Sequence, residues 1–205
     1  MAMFDEKIMN QPIETHAALS DYLARGGKPE GEWGVGLEVE KLIVDRHTGE
    51  AVPYERIRDL LAHLEGTLGW EGIYDGEFLV GLLGGNSSVT LEPGGQLELS
   101  GRLCRDIHCS QRDFDRYIGQ IVSVGRELYL CFLGLGAQPF TPLEQIDWLP
   151  KQRYGVMGPY MLKTGDMGQR MMKQTAGTQV NLDFSDEADC ARKVRMVQLL
   201  TPVFY

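Results

Sequence analysis

The chain has 205 residues, 43% of them hydrophobic, and a formal net charge of -9. That is long enough and apolar enough to fold around one sizeable core. The acid excess excludes the basic face that a nucleic-acid or anionic-membrane partner requires.

The N-terminus has no apolar leader, and Asp5, Glu6 and Glu14 do not suit an acid-poor transit peptide, so a cytoplasmic location is expected. No apolar run reaches membrane-spanning length. Cys104, Cys109, Cys131 and Cys190 form no C-x-x-C pair, and reduced, unbonded thiols are expected. His108 beside Cys109 lacks the second ligand pair that a zinc site needs.

Pro12 to Arg25 reads as a first helix, a cover over the core, stopped by Gly26 and Gly27. A polar connection, Lys28 to Trp33, leads into GVGLEVEKLIV, a strand from Gly34 to Val44. Residues two apart share a strand face, so Glu38 and Glu40 project together. Such a pair is either solvated on a wet edge or neutralised by a hard divalent cation, and this segment alone leaves both readings open.

Ile57, Leu60, Leu61, Leu64 and Leu68 recur at helical spacing after Pro53. Phe78 to Leu83 and Ser87 to Glu92 then form a hairpin across Gly84, Gly85 and Asn86. These glycines lack the Lys-Ser/Thr that would follow them in a phosphate loop.

Leu91 to Gly101, LEPGGQLELSG, is a second strand carrying acids. Pro93, Gly94 and Gly95 break it after Glu92, and Gln96 and Glu98 then share a face. The glycines allow a close backbone approach to a ligand, or simply a bulge.

Asp106 to Glu127 is a long amphipathic helix with Ile107, Phe114, Ile118 and Ile121 on one side, and Tyr129 to Leu135 is a buried strand. Pro139 to Pro150 is irregular. A helical stretch follows, with Met157, Met161, Met167, Met171 and Met172 as core filler and Pro159 and Gly165 as interruptions. In TQVNLDF, Val180, Leu182 and Phe184 face one way and Gln179, Asn181 and Asp183 the other. Ser185 is the expected N-cap of a last helix running toward Pro202, with Arg192, Lys193 and Arg195 on a solvated face.

Three strands thus carry polar groups on one face: Glu38 with Glu40, Glu92 with Glu98, and Gln179 with Asn181. All are oxygen donors. If the strands converge, such a surface suits Mg²⁺ or Mn²⁺ and, through them, phosphoryl transfer.

GVGLEVEK resembles the G-x-E-x-E-K opening of the plant and proteobacterial glutamate–cysteine ligases, and LEPGGQLELSG resembles their L-E-P-G-G-Q-x-E-L-S-G motif. LGLGAQP, IDWLPKQRYGVMGPYM and QVNLDFSDEADCARKVR resemble further family blocks in the same order. The resemblance implies a glutamine synthetase-like α+β fold, a curved, mainly antiparallel sheet with helices packed behind it. It implies ATP-dependent joining of the glutamate γ-carboxylate to cysteine through an acyl phosphate, with Mg²⁺ or Mn²⁺ as cofactor. By motif position Glu38, Glu40, Glu92 and Glu98 would be the metal ligands. Gln179 and Asn181 would lie near substrate or metal, and Arg153 would meet an anionic group of substrate or nucleotide.

The family's chains run well beyond 205 residues. The expectation is that residues 1–205 are a single domain, the N-terminal part of a longer catalytic domain. The missing half would then lie in the same polypeptide, and this chain alone would lack a complete active site. Two other readings stay open: a carboxylate-amine ligase with another amine acceptor, and a non-catalytic half-length subunit or binding module.

Overall fold

The computed structural model describes residues 12–204, so Asp5, Glu6 and Tyr205 lie outside the described residues. Its frame is an open sheet in the order β2-β3-β4-β5-β1-β6, with β7 also paired to β1, seven strands among the described residues. These are β1 (Val35–Asp45), β2 (Glu71–Asp75), β3 (Phe78–Gly84), β4 (Ser87–Leu91), β5 (Leu97–Ser100), β6 (Leu130–Leu133) and β7 (Thr178–Leu182). All pairings are antiparallel. The α+β reading therefore holds.

The long strand β1 is shared between neighbours. Residues 38–41 pair with β5, residues 35–39 with β7, and residues 42–45 with β6. The hairpin β3–β4 forms as the sequence predicts, and Gly85 takes the positive φ of 60° that its turn requires. The sequence reading missed β2, whose Gly72 and polar ends, Glu71 and Asp75, mask the alternation of an edge strand.

Helices α2 (Tyr54–Leu68) and α3 (Ile107–Glu127) pack against each other and onto the sheet. Their apolar stripes meet the inward residues of β3, β4 and β5: Leu60, Leu61, Leu64, Tyr117 and Ile121 join Leu82, Val89, Leu91, Leu97 and Leu99 in one core. Burial of these side chains is the main stabilising term of the fold. Asp106 caps α3 by accepting a hydrogen bond from the Cys109 N–H at 2.8 Å.

Several expectations are corrected. Helix α1 (His16–Ala24) is capped by Thr15, not started by Pro12, and it buries no residue, so it does not cover the core. The apolar strand β6 is only half-buried beyond Leu130. The Met-rich stretch divides at Gly165 as expected, into α4 (Gln152–Thr164) and α5 (Gly168–Gln174), but Pro159 does not interrupt it and lies inside α4. The last helix, α6 (Glu187–Phe204), runs through Pro202, and Asp186 supplies its cap by accepting from the Asp189 N–H at 2.8 Å.

Two cysteines are bonded. Against the expectation of unbonded thiols, Cys104 in the turn after β5 and Cys109 in the first turn of α3 form a disulfide across a Cα separation of 5.6 Å. Cys131 and Cys190 are free. The basic cluster of α6 is not simply solvated either. Arg192 and Lys193 both pair with the buried carboxylate of Asp189, and the Lys193 ammonium lies 3.3 Å from the centroid of the Trp33 ring.

Candidate functional site

The register of β1 decides which side chains meet. Glu40 lies directly opposite Glu98 on β5, and Glu38 lies opposite Ser100 on one side and Gln179 on the other. Asn181 stands opposite Gly36, two residues along from Gln179 and therefore on the same face. The three motifs do converge. Their other face carries Val39, Leu97 and Leu99 into the core.

The carboxylate of Glu38 is held at both oxygens. Gln179 Nε2 donates to one at 2.8 Å and Asn181 Nδ2 to the other at 2.9 Å, and the two amides are themselves joined at 3.0 Å. Glu40 accepts from the Gly177 N–H at 2.8 Å, and Glu98 accepts from the Ser100 hydroxyl at 2.9 Å. Burial pushes the Glu40 carboxyl above its ordinary pKa against the lowering effect of the Gly177 N–H, with the charges of Glu98 and Glu38 adding to the rise.

Glu92 ends β4's continuation, just before the Pro93 break. Its carboxyl is pushed up to about 7, first by burial and next by the charge of Glu98, and Lys151 and Arg153 offset only part of this. The Arg153 guanidinium stands 3.8 Å from the Glu92 carboxylate and also donates to the Tyr154 hydroxyl at 2.9 Å. Lys151, the alternative to Arg153 for meeting an anionic group, donates instead to the Leu91 carbonyl at 2.5 Å and so fixes the backbone leading to Glu92.

The Pro-Gly-Gly break has a structural cause. Gly95 has φ 82°, and a side chain at Gly94 would run into the backbone of Lys173 at the end of α5. The close approach made there is to the protein's own chain. Gln96 seals the contact and is 2% exposed. It accepts from the Gly94 N–H at 2.8 Å and donates to the Met172 and Thr175 carbonyls at 3.0 and 2.7 Å. Although it shares the alternation of Glu98 and lines the cavity beside Glu92, Gln96 spends its amide on this clamp.

Two cavities flank the acidic strip. One, of about 320 Å³, is lined by Glu40, Glu92, Arg153, Met157, Met161 and Met171. Several of the methionines expected as core filler therefore wall a cavity beside the carboxylates. The other, of about 390 Å³, lies at the Glu38 end with Lys28, Asn86, Arg102, Asn181 and Asp183.

The donor chemistry fits a hard divalent cation. The strip offers carboxylate and amide oxygens, and the charge of Glu98 acts on both Glu40 and Glu92, a repulsion that a cation would relieve. Among the described residues, however, no three acid, histidine or cysteine side chains stand close enough to hold a metal ion between them. Glu38 is engaged by its amides, and Glu92 stands beside Arg153 at the far end of the strip.

The fold and site define an open-sheet α+β protein with a carboxylate-lined sheet face. The model of glutamate–cysteine ligase family 2 matches residues 34–205, and the chain belongs to that family. It is 40% identical over 195 residues to the chloroplastic glutamate–cysteine ligase B of Oryza sativa subsp. japonica, covering 95% of this chain and 39% of that one. The chloroplastic glutamate–cysteine ligase of Medicago truncatula is 38% identical over 199 residues, 97% of this chain and 39% of its own. That of Arabidopsis thaliana is 38% identical over 196 residues, 96% of this chain and 37% of its own. The chain spans about two-fifths of the length of these relatives.

Proposed function

We propose that this chain supplies the ligand-binding sheet of an ATP-dependent ligase that joins the γ-carboxylate of glutamate to the amine of cysteine, the first step of glutathione biosynthesis. It would be the N-terminal part of a longer catalytic domain. The observation that carries the reading is the meeting of Glu38, Glu40 and Glu98 on one sheet face with Glu92 and Arg153 at its end.

In this reaction a carboxylate oxygen of glutamate takes the terminal phosphoryl group of ATP, releasing ADP. The cysteine nitrogen then attacks the acyl carbon, phosphate leaves, and the amine loses a proton. Glu38, Glu40, Glu92 and Glu98 would hold Mg²⁺ or Mn²⁺, which when bound neutralises the charge of the phosphates. Gln179 and Asn181 orient the Glu38 carboxylate through its two oxygens and stand beside the cavity at the Glu38 end. Arg153 presents a guanidinium to the methionine-lined cavity, where it would meet a substrate carboxylate or a phosphate.

A cytoplasmic location belongs to this proposal. The names of the relatives place those proteins in chloroplasts, and no described helix is long and apolar enough to cross a membrane. Fractionation of cells carrying the native gene checks it.

The test of function is ADP release with glutamate and a panel of amines, using the polypeptide as its gene encodes it. Release that depends on cysteine, and on both Glu40 and Glu98, supports the reading. Release with another amine but not cysteine, or no release at all, contradicts it.

A further inference from the structure

The polar connection ahead of β1 is held more firmly than the joining of two elements requires, and Lys28 makes most of the contacts. Its N–H donates to the Phe184 carbonyl at 2.8 Å, its carbonyl accepts from the Trp33 indole at 3.0 Å, and its ammonium donates to Asp183 at 2.8 Å. A side chain at Gly27 would run into the Ser185 carbonyl, so this connection and the end of β7 lie in backbone contact.

Asp183 continues the alternation of β7 that carries Gln179 and Asn181. Those two turn to Glu38. Asp183 accepts from the Gly34 N–H at 3.0 Å with one oxygen and from Lys28 with the other. The pair seats the Lys28 ammonium in the lining of the cavity of about 390 Å³ at the Glu38 end. Among the described residues Asp183 is the one acceptor of that ammonium, which has three N–H groups, so two are left for a ligand.

The same cavity is lined by Arg102, which follows β5. Its guanidinium stands 3.7 Å from Asp113, beyond hydrogen-bond reach, and among the described residues its Nε has no partner. Asn86, from the β3–β4 turn, adds an amide. Of the two acids in the lining, Asp183 is already answered by Lys28, and Glu38 is the one placed to share a divalent cation. The cavity at the other end of the strip differs. Arg153 is there, but Met157, Met161, Met171 and Met172 offer a phosphate no donor, and the Lys151 ammonium is engaged by the Leu91 carbonyl.

We propose that Lys28, seated by Asp183, binds the phosphate groups of the nucleotide together with Arg102. The triphosphate then lies at the Glu38 end of the strip, and Arg153 is left to a substrate carboxylate. Hydrogen bonds from fixed cations to phosphate oxygens are strong because both partners are charged. Asp183 is a positioning residue that acts through Lys28. The proposal rests on the ligase reading for the identity of the anion and is tested by binding, so its failure and a failure of turnover are separate results.

The test is calorimetric titration of Mg²⁺-ATP, and separately of glutamate, into the polypeptide as its gene encodes it. Lys28→Met is predicted to weaken Mg²⁺-ATP by at least about tenfold, the loss of one charged hydrogen bond, and to leave glutamate unchanged. Arg102→Met does the same, and Lys28→Arg keeps most of the affinity. Arg58→Met, which removes an exposed cation of α2, has no effect. Asp183→Asn added to Lys28→Met weakens Mg²⁺-ATP no further than Lys28→Met alone, and melting temperatures stay within a few degrees. Mg²⁺-ATP binding indifferent to Lys28→Met overturns the proposal even where turnover supports the ligase reading. So does a loss confined to glutamate, a loss equal for both ligands, or an equal loss in Arg58→Met. Losses from Asp183→Asn and Lys28→Met that add overturn the role of Asp183. A wild-type protein that binds no Mg²⁺-ATP overturns the ligase reading and this proposal with it.

Discussion

Glu38 and Gln179 stand opposite each other on β1 and β7, joined by a 2.8 Å hydrogen bond across 141 residues of sequence. The bond is exposed, so its net contribution to stability is about 0.5–1 kcal/mol. Its larger effect is to aim a carboxylate. We predict that Gln179→Ala changes the urea midpoint little but weakens Mg²⁺-dependent nucleotide binding by about tenfold, as loss of an orienting partner does. Calorimetric titration beside a urea melt separates the two effects.

Gln96 is the opposite case. Its buried amide satisfies the Gly94 N–H and two carbonyls at the end of α5. Gln96→Ala leaves those groups unpaired and opens a cavity, and should cost about 2–4 kcal/mol. A urea midpoint unchanged from wild type would show that the clamp carries no such stability.

Asp45 couples the end of β1 to α2 through Arg56 at 2.6 Å, and the His47 and Thr48 N–H groups also donate to it. The Arg56 hydrogen bond first, and then the backbone N–H groups, hold its carboxyl down to about 2. A folded-state value below the unfolded one means that this stabilisation is present above pH 3.8 and is lost as pH falls toward 2. Asp45→Asn should therefore flatten the acid limb of the melting temperature between those values. A limb as steep as in wild type would assign acid unfolding to other groups.

The Cys104–Cys109 disulfide closes a short loop, so its chain-entropy contribution is at most about 2 kcal/mol. Cys109→Ser should lower stability by that amount or less, with the helix content of α3 retained because Asp106 still caps it. Circular dichroism through a thermal melt reads both.

The acidic face was legible in the sequence because strand alternation has a period of two. Once placed on strands, Glu38 shared a face with Glu40 and Gln179 with Asn181, while their meeting on one sheet face awaited the pairings of β1 with β5 and β7. Their neighbours did not follow. That Glu40 faces Glu98, and that both amides turn to Glu38, depends on register, which long-range pairing sets. The role of Gln96 was hidden for the same reason: it obeys the alternation of Glu98, but its clamp on α5 is a contact that no local pattern encodes. The disulfide depended on a turn after β5 whose path the spacing of Cys104 and Cys109 left open. The alternation of β7 put Val180 and Leu182 on one face, but their exposure was not legible, because hydrophobic period reports an apolar face without saying what buries it.

The central claim is that the face shared by β1 and β5 binds a divalent cation together with nucleotide. Its most direct test is calorimetric titration of ATP into this chain with and without Mg²⁺, repeated on Glu38→Gln and Glu40→Gln. The account predicts binding that requires Mg²⁺ and weakens by at least about tenfold in either variant, the loss expected when a charged oxygen ligand is removed from a cation site. Binding that ignores Mg²⁺, that survives both substitutions, or that is absent from the unsubstituted chain would contradict it.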